Sequence, residues 1–421
     1  RLVCFTRAFD DEAKKVEQPA FVDSLNKIFS QNTIRAEDVF TYNDQAIGNS
    51  FLIKLGCRKV FINENFHNLT DESALAFDIR DIKRLTGKEK QENINCAQSL
   101  YFNKNKIFVT QLEQYFSCPF KHFITYGLKL KEKETEEFDA RDTGNICHAG
   151  AELFVKELIS KNFNNLDSIN IDEFIEQNFY KIIRQENIEE KLNVVSERNS
   201  LIAFFKHQLN VLLSDILKEI KYSSFRPKLL EKQLDSITLG NKFKVEMSGK
   251  ADRIDEYDNY FRIIDYKTGK TGSIVKELYY GEKLQLFLYQ RVVKKMLNKD
   301  PAGVFYFNAK YDYDKAEQDK HLLLGLAEND EEILSLYDND LSASSSIISL
   351  YKNKDGIIKG SAVAKERLSV YENYAFAIAN KAVDEIESGY ISPKPHERSC
   401  QYCKYNSICG FENTMGRRKL T

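Results

Sequence analysis

The segment SGKADRIDEYDNYFRIIDYKTGK reads as a β-hairpin with its turn at Tyr257-Asp258-Asn259. With the turn centred near Asp258, Asp252 on one strand lies almost opposite Asp265 on the other. Facing carboxylates in a buried hairpin repel unless a cation sits between them, and a hard divalent ion with oxygen ligands is the natural candidate. Asp265 and Lys267 are two apart on one strand, so their side chains leave the same face. A divalent ion beside a lysine ammonium suits phosphodiester hydrolysis: the ion makes hydroxide available and shields the phosphate, while the ammonium orients the nucleophile and stabilises developing charge. A plain cross-strand salt bridge, Asp252 or Asp265 with Lys267 or Arg253, accounts for the hairpin's charges equally well.

Other constellations bear on the choice. Gly144-x3-His148 puts a histidine one turn inside a helix, where it could reach a metal, although a lone histidine is more often structural. Gln285 and Tyr289 stand at i and i+4 on the helix after the hairpin and project together, as the polar edge of any amphipathic helix also would. Cys400, Cys403 and Cys409 form a C-x2-C-x5-C cluster. Three thiolates that close repel unless a cation holds them; a fourth ligand is needed, and Cys118 in YFSCPFKHF is the candidate. Spacing leaves zinc and iron–sulfur both open. Cys4, Cys57, Cys96 and Cys147 are scattered singly and read as ordinary thiols. The GKT at Gly269 mimics the end of a phosphate-binding loop, but Ile264 stands where that loop needs a glycine, and no other nucleotide loop appears.

The elements that must position these residues follow from periodicity. Residues 1–108 read as a small α/β segment, with strands at Leu2–Phe5, Phe51–Leu55 and Lys59–Ile62, a helix at Pro19–Ser30 and a polar linker, KEKQENINCAQ. A helix from Thr110, with Thr110 and Glu113 fitting a capping box, places Cys118 near its end. Further helices are expected over Thr143–Lys161, through Ile171–Tyr222, over Ser273–Leu297 and over Ala362–Gly389. Strand alternation fills 229–267, and a short strand is expected at Val304–Ala309.

At 421 residues the chain has room for two or three domains at roughly 150 residues each. Lys and Arg total 61 against 63 Asp and Glu, which excludes a uniformly cationic coat but not a local basic groove. Eighteen Gly and six Pro are about half the usual share, favouring long helices over a loop-rich sandwich. No apolar run reaches the ~18 residues of a membrane span, and the opening RLVCFTRAFDD lacks a signal-peptide pattern. A chain that begins with Arg1 rather than Met reads as a piece of something longer, and a cytoplasmic, α-rich fragment is expected.

Five patterns in order resemble the nuclease region of the AddB family of bacterial helicase–nuclease subunits, in the RecB-like branch of the PD-(D/E)XK superfamily. They are YFSCPFKHFITYGLKL, GNICH, GKADRID with IIDYKTG, QLFLY and CQYCKYNSICGF, spanning about Thr110 to Glu412. The opening residues are similar, more loosely, to the end of that family's inactivated helicase-like part. The resemblance implies an α/β fold, a helix-rich PD-(D/E)XK core with a mixed central sheet, over residues 109–421, with 1–108 as the remnant of a helicase-like domain. It implies metal ligation by His148, Asp252, Asp265 and the Tyr266 carbonyl, with Lys267 as catalytic lysine and Gln285 and Tyr289 lining the same site. Cys118, Cys400, Cys403 and Cys409 would hold a [4Fe–4S] staple in preference to zinc. The implied activity is that of a Mg²⁺- or Mn²⁺-dependent deoxyribonuclease. It would act as an exonuclease on single strands, on the 5′-ended strand, fed by an AddA-type helicase–nuclease partner in double-strand break processing and recombinational repair. The family's helicase-like half, implicated in recognising the regulatory Chi sequence, is absent from this chain. A stand-alone or CRISPR-associated nuclease of the same superfamily is one rival; a DNA-binding iron–sulfur scaffold with catalysis unused is another. The complete Asp252, Asp265 and Lys267 set counts against the scaffold. Near-neutral charge implies weak DNA binding by the nuclease alone. Local basic patches are either solvated faces or DNA contacts: Lys121, Lys129, Lys131 and Lys133; Lys394, Arg398 and Lys404; Arg417, Arg418 and Lys419.

Overall fold

In the computed structural model the described residues are 93–94, 97–102, 105–130, 138, 140–194, 198–269, 272–309, 321–340, 344–355, 357–396, 399–401, 403–405, 409 and 411. The strands and helix expected before residue 93 lie outside them, as do Lys131, Lys133, Arg398, Arg417, Arg418 and Lys419.

In chain order the elements are α1 (Ala97–Tyr101), β1 (Lys106–Phe108), α2 (Val109–Ser117), α3 (Pro119–His122), α4 (Ala140–Ser160), α5 (Ile171–Gln185), α6 (Glu189–Val194) and α7 (Arg198–Tyr222). There follow β2 (Arg226–Gln233), β3 (Ile237–Leu239), β4 (Val245–Ser248), β5 (Lys250–Tyr257), β6 (Tyr260–Lys267), α8 (Ile274–Tyr279), α9 (Gln285–Leu297) and β7 (Asp300–Asn308). The last are β8 (Leu323–Glu328), α10 (Glu331–Ser335), β9 (Leu350–Lys352), β10 (Ile358–Gly360), β11 (Ala362–Val363) and α11 (Lys365–Glu387). They fall into two compact units: a larger one from 97–117 and 135–387, and a smaller one that includes 118–134 and 388–418.

The larger unit is built on a six-stranded mixed sheet of order β11-β8-β7-β6-β5-β2. Strands β6 and β7 run parallel, so the chain must cross over between them, and α8 and α9 are that crossover. Strand β7 is buried along nearly its whole length, as a central strand with both faces covered must be. Helices α4, α5 and α7 press Phe154, Phe179, Leu209 and Leu213 into one core with Ile264, Tyr266, Phe305 and Phe307. Helix α5 starts where the Asn170 side chain accepts the Glu173 N–H at 3.2 Å.

The β5–β6 hairpin turns through Asp258, at φ +46, and pairs Tyr257 with Tyr260 and Arg253 with Ile264. Its helix-covered face buries four charges. Arg253 bonds Asp255 at 2.7 Å and Glu219 of α7 at 2.7 Å; Arg262 bonds Asp255 at 2.7 Å and pairs with Glu219 as well. All four are fully buried, and Arg262 also lies over the rings of Phe225 and Tyr337.

Three local expectations are corrected. The helix expected over Ser273–Leu297 is two helices, broken before α9 at Gly281, whose φ is +72 and whose added Cβ would meet the Phe116 ring at 2.4 Å. The helix expected from Ala362 begins at Lys365, because Ala362 and Val363 pair with β8 as β11. The capping box fails: α2 starts at Val109, and the Glu113 carboxylate turns instead to Leu284 and Gln285.

In the smaller unit Cys118 is the residue before α3, with Pro119 at the first helical position. Helix α3 runs on through a π-turn, Phe123–Gly127.

Candidate active site

The carboxylates expected to face each other do so. The hairpin ladder pairs as far as Arg253–Ile264, and Asp252 and Asp265 are the next residues on its two strands, close enough for their charges to repel. Asp252 Oδ2 accepts the Tyr266 backbone N–H at 3.0 Å and lies 3.2 Å from His148 Nδ1. His148 projects from α4, and its ring also faces the Tyr266 carbonyl. Asp265 is held by other partners: Gln285 Nε2 donates to its Oδ1 at 2.7 Å, and Lys267 Nζ stands 2.6 Å from its Oδ2. Lys267 in turn lies over the Tyr306 ring. Tyr289, one turn along α9 from Gln285, is buried against the start of β5, where its oxygen accepts the Lys250 N–H. Only a glycine at 249 admits it, since a Cβ there would meet the phenol oxygen at 2.4 Å.

One residue of this centre was not anticipated. Leu230 pairs with Arg253 and Lys232 with Ala251, so Glu231 of β2 stands across from Asp252. Its φ of +47 is a conformation glutamate rarely adopts, and such strain collects at functional sites. Among the described residues His148, Glu231 and Asp252 are the group whose ligand atoms come within 4.8 Å of one another. Glu231 carries no motif; only the β2–β5 register reveals it.

Burial first, and then Asp265, push the Asp252 carboxyl well above the ordinary carboxylate range. Among the described residues no lysine or arginine ion-pairs with Asp252. Burial lowers His148, which keeps its imidazole neutral and able to donate a nitrogen lone pair. Burial alone would lower Lys267, but Asp265 beside it raises the ammonium overall, so it stays charged. A neutral imidazole with two or three carboxylates is a donor set for a hard divalent cation, and a cation there would relieve the Asp252–Asp265 repulsion. The residues therefore fit the metal.

The cysteines form a separate centre in the smaller unit. Cys118, Cys400, Cys403 and Cys409 line one small cavity with Phe120, Pro393, Pro395 and Phe411. Burial pushes the Cys118 thiol up, while backbone N–H groups of Lys121, Phe120 and Lys394 are directed at its sulfur. The Phe411 N–H donates to Cys409 Sγ at 3.4 Å. Such donors favour bound thiolates, so the four fit a thiolate-held group. Cys147 belongs to the larger unit, where it is buried and its thiol is pushed up to about 12. Lys129, Lys394 and Lys404 are exposed.

A hairpin in a mixed sheet, carrying two facing carboxylates, a lysine two residues on and a histidine from a flanking helix, is an arrangement that suits a divalent cation beside a charged lysine. The PD-(D/E)XK nuclease superfamily profile matches residues 107–410, and the chain belongs to that superfamily. It is similar to bacterial proteins named as a subunit of an ATP-dependent helicase/deoxyribonuclease. The one from Alkaliphilus metalliredigens is 26% identical across 96% of this chain and 40% of the relative. That from Clostridium tetani is 29% identical across 76% and 31%, and that from Clostridioides difficile 28% across 96% and 37%. The chain thus spans less than half the length of these relatives. No described helix is long and apolar enough to cross a membrane.

Proposed function

We propose that this chain is the nuclease part of an AddAB-type helicase–nuclease: a Mg²⁺- or Mn²⁺-dependent deoxyribonuclease that hydrolyses single strands, taking the 5′-ended strand fed by an AddA-type partner during double-strand break processing and recombinational repair in the cytoplasm. Residues 109–421 are the nuclease domain and 1–108 the remnant of a helicase-like domain. The observation that carries this reading is the Asp252–Asp265 pair with Lys267 at the open end of the hairpin.

His148, Asp252, Asp265 and the Tyr266 carbonyl hold the cation, with Glu231 added to that set. The cation supplies Lewis-acid chemistry and lowers the pKa of water. Lys267 keeps its proton and directs an N–H donor at charge developing on the phosphate. Gln285 fixes the Asp265 carboxylate, and Tyr289 packs α9 against β5. Cys118, Cys400, Cys403 and Cys409 hold a [4Fe–4S] cluster. The four cysteines line one cavity and would suit zinc as well, and the family resemblance is what puts the cluster first.

The test is cleavage of single-stranded DNA labelled at either end, by anaerobically purified protein with Mg²⁺. Loss of cutting in EDTA and in Lys267→Ala supports the reading, and the labels report polarity. Cutting by Lys267→Ala at the wild-type rate overturns it. Cys403→Ser should bleach the visible absorption of the cluster, and an unchanged spectrum removes the cluster from the proposal.

A further inference from the structure

Helix α9 begins without a cap of its own. Leu284 precedes its first residue and has no side chain able to accept a hydrogen bond, yet the first N–H groups of a helix need acceptors. Glu113, from α2, supplies one: its Oε1 accepts the Leu284 N–H at 2.8 Å and the Gln285 N–H at 3.2 Å. A carboxylate there also complements the positive end of the helix dipole. A second contact holds the same turn, because Phe116, also on α2, fills the space beside Gly281. Helix α2 thus grips the 281–285 segment at two points.

Gln285 is the first residue of α9, and its side chain donates to Asp265 at 2.7 Å. Fraying of that first turn would carry Gln285 away from Asp265 and leave the carboxylate free to rotate off Lys267. Among the described residues Glu113 makes no hydrogen bond to Asp265 or Lys267; apart from a weaker charge interaction with Lys267, it acts on them through the backbone of α9.

We propose that Glu113 is a positioning residue of the active site, capping α9 so that Gln285 is fixed on Asp265. This rests on the nuclease reading above.

The test is a double-mutant cycle in the full 421-residue chain, with Glu113→Ala, Glu113→Gln, Gln285→Ala and the pair Glu113→Ala/Gln285→Ala. Glu113→Ala should lower kcat by about 10- to 100-fold, the usual cost of losing a residue that orients a site group, with KM little changed. Glu113→Gln keeps an acceptor for both N–H groups and should recover most of that loss. The pair should be no worse than Gln285→Ala alone, because both act on one contact. Additive losses would assign Glu113 a general structural role and overturn the proposal. Amide hydrogen exchange is read in parallel on the peptide covering 281–286. Glu113→Ala should accelerate it, and unchanged exchange refutes the cap. A wild type that folds but does not cut sinks the nuclease reading, while the exchange still decides whether Glu113 holds α9.

Discussion

The two faces of one hairpin carry the same kinds of residue and treat them in opposite ways. Arg253, Asp255 and Arg262 point to the helix-covered face, where with Glu219 they make two positive and two negative charges in mutual contact. Asp252 and Asp265 leave the other face, an odd number of positions along each strand, and Asp252 finds a histidine and a backbone N–H but no lysine or arginine ion pair among the described residues. Strand alternation alone separates the sets. The balanced set is a structural ion cluster; the set with excess carboxylate is the one that a divalent cation would complete under the proposed function. The salt-bridge explanation of the hairpin thus holds for Asp265, which pairs with Lys267 at 2.6 Å, whereas Arg253 pairs with Asp255 and Glu219 rather than with Asp252 or Asp265.

The largest effects should fall on different observables for the two faces. Lys267→Ala should cost cleavage about 1,000-fold, as loss of a donor to developing charge does, and leave the unfolding midpoint close to wild type. Arg253→Met should do the reverse: removing one partner strands buried carboxylates and costs about 3–5 kcal/mol of stability. Urea unfolding beside single-stranded DNA cleavage checks both. If Lys267→Ala unfolds as readily as Arg253→Met, the two faces are not distinct.

This division was half legible in the sequence. The Asp252–Asp265 pairing and the turn at Asp258 could be read because a hairpin register is set locally by its turn. Helix α4 and the position of Cys118 were readable for the same reason, from periodicity within one element. Glu231 and Glu113 were not. Glu231 reaches the site through pairing of β2 with β5 and a left-handed backbone that no local pattern announces. Glu113 caps a helix 171 residues away, so a local capping box looked sufficient. The break at Gly281 was missed likewise, since its cause is Phe116 of another helix.

A cation should act on one face only, with a definite pH sign. Asp252 is raised in the folded protein by burial and by Asp265. A raised carboxyl means the folded state holds the proton longer, so the cation-free protein loses stability as pH rises from the ordinary carboxylate range through the raised value. A bound cation replaces the proton, so its stabilisation grows over that same window. At Mg²⁺ about 100-fold above its Kd the gain approaches about 2.7 kcal/mol once Asp252 is ionised. Asp252→Asn should remove most of the gain and its pH dependence. Unfolding curves across pH, with Mg²⁺ and with EDTA, measure this; a Mg²⁺ effect equal at all pH, or intact in Asp252→Asn, would place the cation elsewhere.

The smallest expected change comes from the most drastic substitution. Replacing the whole buried cluster, Glu219→Leu with Arg253→Met, Asp255→Leu and Arg262→Met, removes the charges together with their desolvation cost. Buried ion pairs often break even against apolar groups of similar volume, so stability should move little and could rise. Phe225 and Tyr337, which now lie against Arg262, offer apolar surface to its replacement. The other face keeps Asp252, Asp265 and Lys267 in register, so cleavage should stay within about tenfold of wild type, the cluster touching none of the three. A variant that folds and binds Mg²⁺ but fails to cut would show that the balanced face tunes the unbalanced one through the shared strands. A variant that cuts normally would confine the cluster's role to folding.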